Sequence, residues 1–404
     1  RSIKKLTSSN VTKKLINGTF DWVYEEEFGC RDGFIFNEDG TRIAFLQIDA
    51  NQVRDFYMIN NTDSIYSYTI PVEYPKVGED LTPARIGVIN LTNEEITWMK
   101  IPGEQNKFYL PRMTWMPGRN DLMIQQLNRK QNHSKIYIAN ANDGSTELLM
   151  EEKDDAWVDL RSSWPYQVQA GWKFINNGKE FLYTTEKDGW SHIYRFDITN
   201  KTEYLVTKGN YDVVKPLAYD EKNESVYFIA SPENPTERYL YKTSAKGDGK
   251  LIRVTPDILE GSHNYQISTK AKYAFHSFSN YFTRPMQAIV SLPNHKFINE
   301  NQNMIEKYDL EKKKDHPLEF FEITTVDNVT MEGWIVKPKN LNKNKKYPVL
   351  FYFYSEPAGQ TGVNRYGAGN NSLYDGNLGE DGYVYVTFDG RGTPSPKGRA
   401  WRKA

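Results

Sequence analysis

Three consecutive glutamates, Glu25, Glu26 and Glu27, follow an aromatic pair, Trp22 and Tyr24, in the stretch DWVYEEEF at residues 21–28. Two carboxylates converging on one small space repel each other, and each becomes harder to ionise unless a cation sits between them. A free α-ammonium, with three N–H donors and a positive charge, suits such a site. Two local geometries are open. On a strand Glu25 and Glu27 share a face and Glu26 points the other way; in a helical turn neighbours diverge by ~100°, so two adjacent carboxylates can lean into one cleft. The plain alternative is a solvated acidic helix face, which composition alone favours.

Other chemistry has little footing. Ser191 and His192 adjoin in DGWSHIYRF, but the stretch lacks the second glycine of G-x-S-x-G and lies between strands instead of on a strand-to-helix elbow, so both are read as structural. His133, His263, His276, His295 and His316 are scattered through β segments or a linker, and none lies beyond residue 316. There is no GxxxxGK[ST] loop, no HExxH and no CxxC, and GAGNNS from Gly367 lacks both a third glycine and a clean preceding strand. No cofactor and no metal is therefore expected. The turns NEDG and NANDG have a calcium-loop flavour without the closing glutamate, and are read as hairpin turns. Cys30, the lone cysteine, excludes an internal disulfide and a cysteine-based zinc site but not secretion.

The elements that must carry these residues are mostly strands. Short runs of alternating aromatic and β-branched residues are separated by Asn, Asp and Gly turns, with almost no sustained helical stripe. One phrase recurs, an apolar residue, a polar turn and a short apolar strand: FNEDGTRIAF from Phe36, WMPGRNDLMI from Trp115, FINNGKEFLY from Phe174, LAYDEKNESVYF from Leu217 and ISTKAKYAF from Ile267. Each is followed by a further strand pair, such as HIYRFDI at 192–198 or LYKTS at 240–244. Units of about four strands, spaced roughly 45–80 residues apart, are what propeller blades look like in sequence. A single long β-sandwich is the competing architecture. The charged, strand-poor stretch NENQNMIEKYDLEKKKDH from Asn299 reads as a connection with a short helix. Beyond it a hairpin-like pair, FFEITTVDNVTMEGWIVKP, and two strands ending in Gly-rich turns, YPVLFYFYSEPAGQ and YVYVTFDGRG, leave room for helical segments and suggest the opening of an α/β sheet.

Composition sets the outer limits. The chain has 404 residues, 38% of them apolar, enough for two or three domains with sizeable cores. Lysine plus arginine (51) nearly cancels aspartate plus glutamate (52), so no global field recruits nucleic acid or an acidic membrane. No apolar run approaches the ~20 residues of a membrane-spanning helix.

Taken together, DWVYEEEF, VEYPKVGE at 72–79, YPVLFYFYSEPAGQ and FDGRG at 388–392 resemble the dipeptidyl peptidase IV family of prolyl-oligopeptidase-like serine peptidases, in order and spacing over essentially the whole chain. The absence of paired cysteines makes a bacterial member the nearest likeness. The resemblance implies a mainly β fold: an irregular eight-bladed propeller, incomplete at its N-terminus and spanning residues 1–300, then from 301 to 404 a linker and the beginning of an α/β-hydrolase domain. It implies removal of N-terminal dipeptides with proline or alanine second. Glu26 and Glu27 are the implied grip on the substrate's free amino terminus, and Tyr354 the implied donor to the oxyanion. Asp389 and Arg391 look structural, holding the loop after their strand.

Two departures shape the expectation. The family's Ser, Asp and His would all fall beyond Ala404. An arginine that contacts substrate from an early blade would precede Arg1, and a second, expected just before Phe174, has no match in WPYQVQAGWK. The chain, which begins at Arg1 without a methionine or signal pattern, is thus expected to be a fragment that does not hydrolyse peptides by itself. A prolyl tripeptidyl peptidase, whose acidic motif should be shorter, and a catalytically silent binding propeller are the alternatives. The resemblance also implies a periplasmic or secreted location, peptide partners with free amino termini and, since members often dimerise, a homodimer. Sequons such as those at Asn17, Asn90 and Asn328 carry little weight in so Asn-rich a chain.

Overall fold

The computed structural model describes residues 3–7, 14–160, 171–314 and 316–404. All five recurring phrases form antiparallel hairpins. In each, a strand rich in alternating apolar residues ends on a polar turn that reverses the chain, and the next strand pairs back. The NEDG turn joins Phe34–Phe36 to Arg42–Asp49, and NANDG joins His133–Asn140 to Thr146–Lys153, so both calcium-like turns are hairpin turns.

The chain divides into two compact units, residues 1–183 with 196–203, and residues 184–195 with 204–404. In the first, Arg42–Asp49 is the hub of a five-stranded antiparallel sheet, flanked by Leu15–Asn17 and Phe34–Phe36 on one edge and by Ala84–Asn90 and Ile96–Trp98 on the other. Phe108–Trp115, Asp121–Asn128, His133–Asn140 and Thr146–Lys153 form a four-stranded meander. Leu46, Ile48, Ile86, Leu110, Leu122 and Ile124 pack into one core between these sheets. A two-stranded ribbon, Asp55–Asn60 with Tyr68–Glu73, stands apart from both sheets. It leaves Tyr57, Met58 and Ile59 exposed.

The second unit holds two more four-stranded antiparallel meanders. One is Val213–Asp220, Ser225–Ala230, Tyr239–Ser244 and Ile252–Arg253; the other is Ser262–Ile267, Tyr273–Ser279, Met286–Ser291 and Lys296–Phe297. The charged connection folds as a 3-10 turn, Glu300–Gln302, and two one-turn α-helices, Met304–Lys307 and Glu311–Lys314. A mixed sheet follows in the order Leu318–Thr324, Thr330–Val336, Val384–Phe388, Val349–Tyr352. Its last pair is parallel, Val349 opposite Val384 and Tyr352 opposite Thr387, which marks the change of fold class. Residues 353–383 hold turns and an isolated bridge where the sequence leaves room for helices. Among the described residues no helix is long and apolar enough to cross a membrane.

Candidate functional site

The glutamates lie on a helix, Trp22–Phe28, which settles the first open geometry. At seven residues it is too short to persist alone, since isolated helices under ~12 residues are marginal in water. Its ends and one buried side chain hold it. Asp21 is the N-cap, its carboxylate accepting from the Tyr24 N–H at 3.1 Å. Burial raises the Asp21 carboxyl above the usual range, while hydrogen bonds from Thr82 and from the Tyr24 and Val23 backbone oppose that. Gly29 ends the helix in the left-handed region at φ 65°, where a side chain is disfavoured, and the Cys30 N–H closes on the Tyr24 carbonyl at 3.1 Å.

Tyr24 is the anchor. It is 1% exposed, its ring lies 5.5 Å from Phe20, 5.6 Å from Phe28 and 5.9 Å from Tyr109, and its hydroxyl accepts from the Leu110 N–H at 2.9 Å. Beside it the Cys30 thiol donates to the Pro111 carbonyl at 3.2 Å and is pushed by burial up to about 12, which leaves it unreactive. With Tyr24 turned inward, Glu25, Glu26 and Glu27 all face solvent. None of the three carboxylates accepts a hydrogen bond from, or pairs with, a described residue. Glu26 stands one turn after Trp22 on the same helix face, and the Trp22 ring packs 4.6 Å from that of Tyr74. The helix therefore offers two adjacent free carboxylates, about 100° apart, on a rigid capped base.

In the second unit Tyr354 follows the edge strand Val349–Tyr352 and borders a cavity of about 710 Å³ with Trp334, Tyr352, Gln360, Arg365 and Tyr385. Its ring rests on Gly359, where a β-carbon would lie 2.4 Å from Tyr354 Cδ1. The phenol makes no hydrogen bond with a described residue and is 53% exposed, so its O–H is available to a ligand.

Asp389 is structural, and the loop its carboxylate holds is the one at Thr361 and Gly362. Its carboxylate accepts from Thr361 N, Thr361 Oγ1 and Gly362 N at 2.7–2.8 Å. Arg391 pairs with Asp327 at 3.4 Å. Ser191 is confirmed as structural by its bonds: its hydroxyl donates to the Val213 carbonyl at 3.1 Å and its N–H to Asp212 at 2.7 Å, while His192 is held by Asp188 at 2.8 Å. The position expected for a second substrate-facing arginine, before Phe174, falls mostly on residues 161–170, outside the described residues.

Comparisons with known proteins follow the same lines. A family model described as "Dipeptidyl peptidase IV (DPP IV) N-terminal region" matches residues 1–285. A dipeptidyl peptidase 4 of Trichophyton rubrum is 28% identical over 415 residues, covering 99% of this chain and 52% of its own length. A protein named probable dipeptidyl-aminopeptidase B, of Botryotinia fuckeliana, is 28% identical over 427 residues, covering 97% of this chain and 45% of its own. The crystal structure of Porphyromonas gingivalis dipeptidyl peptidase 4 superposes with a TM-score of 0.85 at 28% identity, over 98% of this chain and 54% of that one. The chain thus spans about half the length of the relatives it matches.

Proposed function

This chain belongs to the dipeptidyl peptidase IV family, a β-propeller followed by an α/β sheet, and on that premise we propose that it carries the substrate-recognition half of a serine dipeptidyl aminopeptidase. Glu26 and Glu27 take the substrate's α-ammonium between their carboxylates, which fixes the scissile bond two residues in. Tyr354 donates its O–H to the oxygen of the attacked carbonyl as negative charge develops there; a single donor of this kind is worth about 2.7–4 kcal/mol. The nucleophilic serine with its histidine and aspartate belongs to the rest of the α/β-hydrolase domain, outside these 404 residues. Proline or alanine occupies the second substrate position.

One observation carries the proposal: two adjacent carboxylates with no described partner, held on a helix that is capped at both ends and pinned by a buried tyrosine. The names of the relatives support the same activity. The propeller is read as ending near residue 300, because the last antiparallel meander closes at Phe297 and the mixed sheet opens at Leu318. A periplasmic or secreted location belongs to the proposal, as does a homodimer, which the exposed apolar ribbon at Tyr57, Met58 and Ile59 supports as a surface for a second copy.

The test is made on the full-length protein with dipeptidyl and tripeptidyl chromogenic substrates ending in proline. Release from the dipeptide alone is expected. Release from the tripeptide alone would assign a tripeptidyl peptidase instead, and a folded protein that turns over neither would be a binding propeller.

A further inference from the structure

The turn carrying Tyr354 is clamped by side chains at its far end. Phe353 and Tyr354 are exposed, and on their side of the turn Glu356 N donates to the Tyr354 carbonyl at 3.0 Å and Gly359 N to the Glu356 carbonyl at 3.4 Å. At the other end three side chains converge. Asp389, 3% exposed, binds Thr361 through its N–H and hydroxyl and Gly362 through its N–H. The Trp334 indole donates to the Thr361 carbonyl at 3.2 Å. Gln360 donates to the Pro235 carbonyl at 3.0 Å and Ser395 Oγ at 3.1 Å, and accepts from the Arg238 guanidinium. Burial pulls Arg238 down to about 10, opposed by the charges of Asp389 and Asp212. Gly359, on which the Tyr354 ring rests, is the residue next to this clamp.

Hydrogen bonds to an ionised group are the strong ones, and a buried carboxylate taking three of them fixes the backbone it binds. We propose that Asp389 is a positioning residue for the Tyr354 hydroxyl, acting through Thr361, Gly362 and the glycine under the ring, with Arg238 and Gln360 as a second tether. This rests on the reading of Tyr354 as the oxyanion donor. An oxyanion donor works only where its hydrogen meets the developing charge, so loosening the clamp lowers the chemical step and leaves substrate binding alone.

The experiment is a double-mutant cycle on the full-length protein. Tyr354→Phe is expected to lower kcat roughly 100-fold or more. Asp389→Asn, which turns an amide N–H toward the Gly362 N–H or removes the acceptor there, is expected to lower kcat about 10-fold with KM unchanged within about twofold. The double variant should be no slower than Tyr354→Phe within about twofold, because Asp389 acts only through that hydroxyl. Thr361→Val, losing one bond to the same carboxylate, repeats the test with a smaller loss should Asp389→Asn fold poorly. Losses that multiply in the double variant, a KM effect without a kcat effect, or wild-type kcat in Asp389→Asn and Thr361→Val overturn the proposal while leaving the oxyanion reading in place. Wild-type kcat in Tyr354→Phe overturns both.

Discussion

Replacing Tyr24 with phenylalanine removes one oxygen from the base of the acidic helix. That oxygen is the acceptor for the Leu110 N–H at 2.9 Å, in a site where Tyr24 is 1% exposed. The substitution keeps the ring contacts with Phe20, Phe28 and Tyr109 and leaves a buried N–H without a partner, at a cost of about 1–3 kcal/mol. Because the seven-residue helix depends on its anchor, most of that cost should appear as local opening. At 1.4 kcal/mol per decade, exchange of the amides of Trp22–Phe28 and of Leu110 should accelerate about 5- to 150-fold. Hydrogen exchange read by mass spectrometry on the two peptides is the assay, with the strand Ser225–Ala230 of the other unit as an internal control that should not change. Unchanged exchange at both peptides would refute the claim that Tyr24 pins the helix.

Three further outcomes follow from the same physics. Burial holds His263 at about 3, His295 at about 4 and His276 well below the ordinary value, with His263 bonded to His276 at 2.8 Å and His295 to Tyr265 at 2.9 Å. The unfolded chain takes up protons near pH 6.5 that the folded chain refuses, so stability is complete above ~6.5 and drains away as pH falls through 4 toward 3. The urea midpoint should fall over that window and His276→Phe should flatten the slope; a pH-independent midpoint would show the cluster to be inert. Gly359→Ala puts a β-carbon 2.4 Å from Tyr354 Cδ1, so the ring must swing and kcat of the full-length protein should drop at least about tenfold, against no change if the ring position is immaterial. Ile59→Asp on the exposed ribbon should turn a dimer into a monomer by sedimentation, and a dimer that survives it excludes the ribbon as the contact.

What could be read from sequence was local. The five hairpin phrases announced themselves because turn residues and alternating apolar residues act within ten positions of one another, and the α/β opening was suggested by apolar strands ending on Gly-rich turns. The conformation of the glutamate run stayed open, since three identical residues carry no period. Asp21 and Gly29, a helix start and stop eight residues apart in number, were the unused signal. The anchor of Tyr24 lies 86 positions away at Leu110, and the partner of Gln360 lies 122 positions away at Arg238; no local pattern encodes such pairings. Asp389 was placed as the keeper of its own loop for the same reason, when its carboxylate in fact reaches back 28 positions to Thr361.

The most direct test concerns Glu26 and Glu27. Two charge-assisted hydrogen bonds to a substrate ammonium are worth about 1.5–3 kcal/mol each, so losing both should cost at least roughly a hundredfold in kcat/KM. The measurement is turnover of a Xaa-Pro chromogenic dipeptide, with a free and with an acetylated amino terminus, by the full-length protein and its Glu26→Gln, Glu27→Gln double variant. The account predicts that wild type strongly prefers the free amine, and that the double variant loses at least about a hundredfold on that substrate and no longer distinguishes the two. Undiminished turnover of the free dipeptide by the double variant would contradict it.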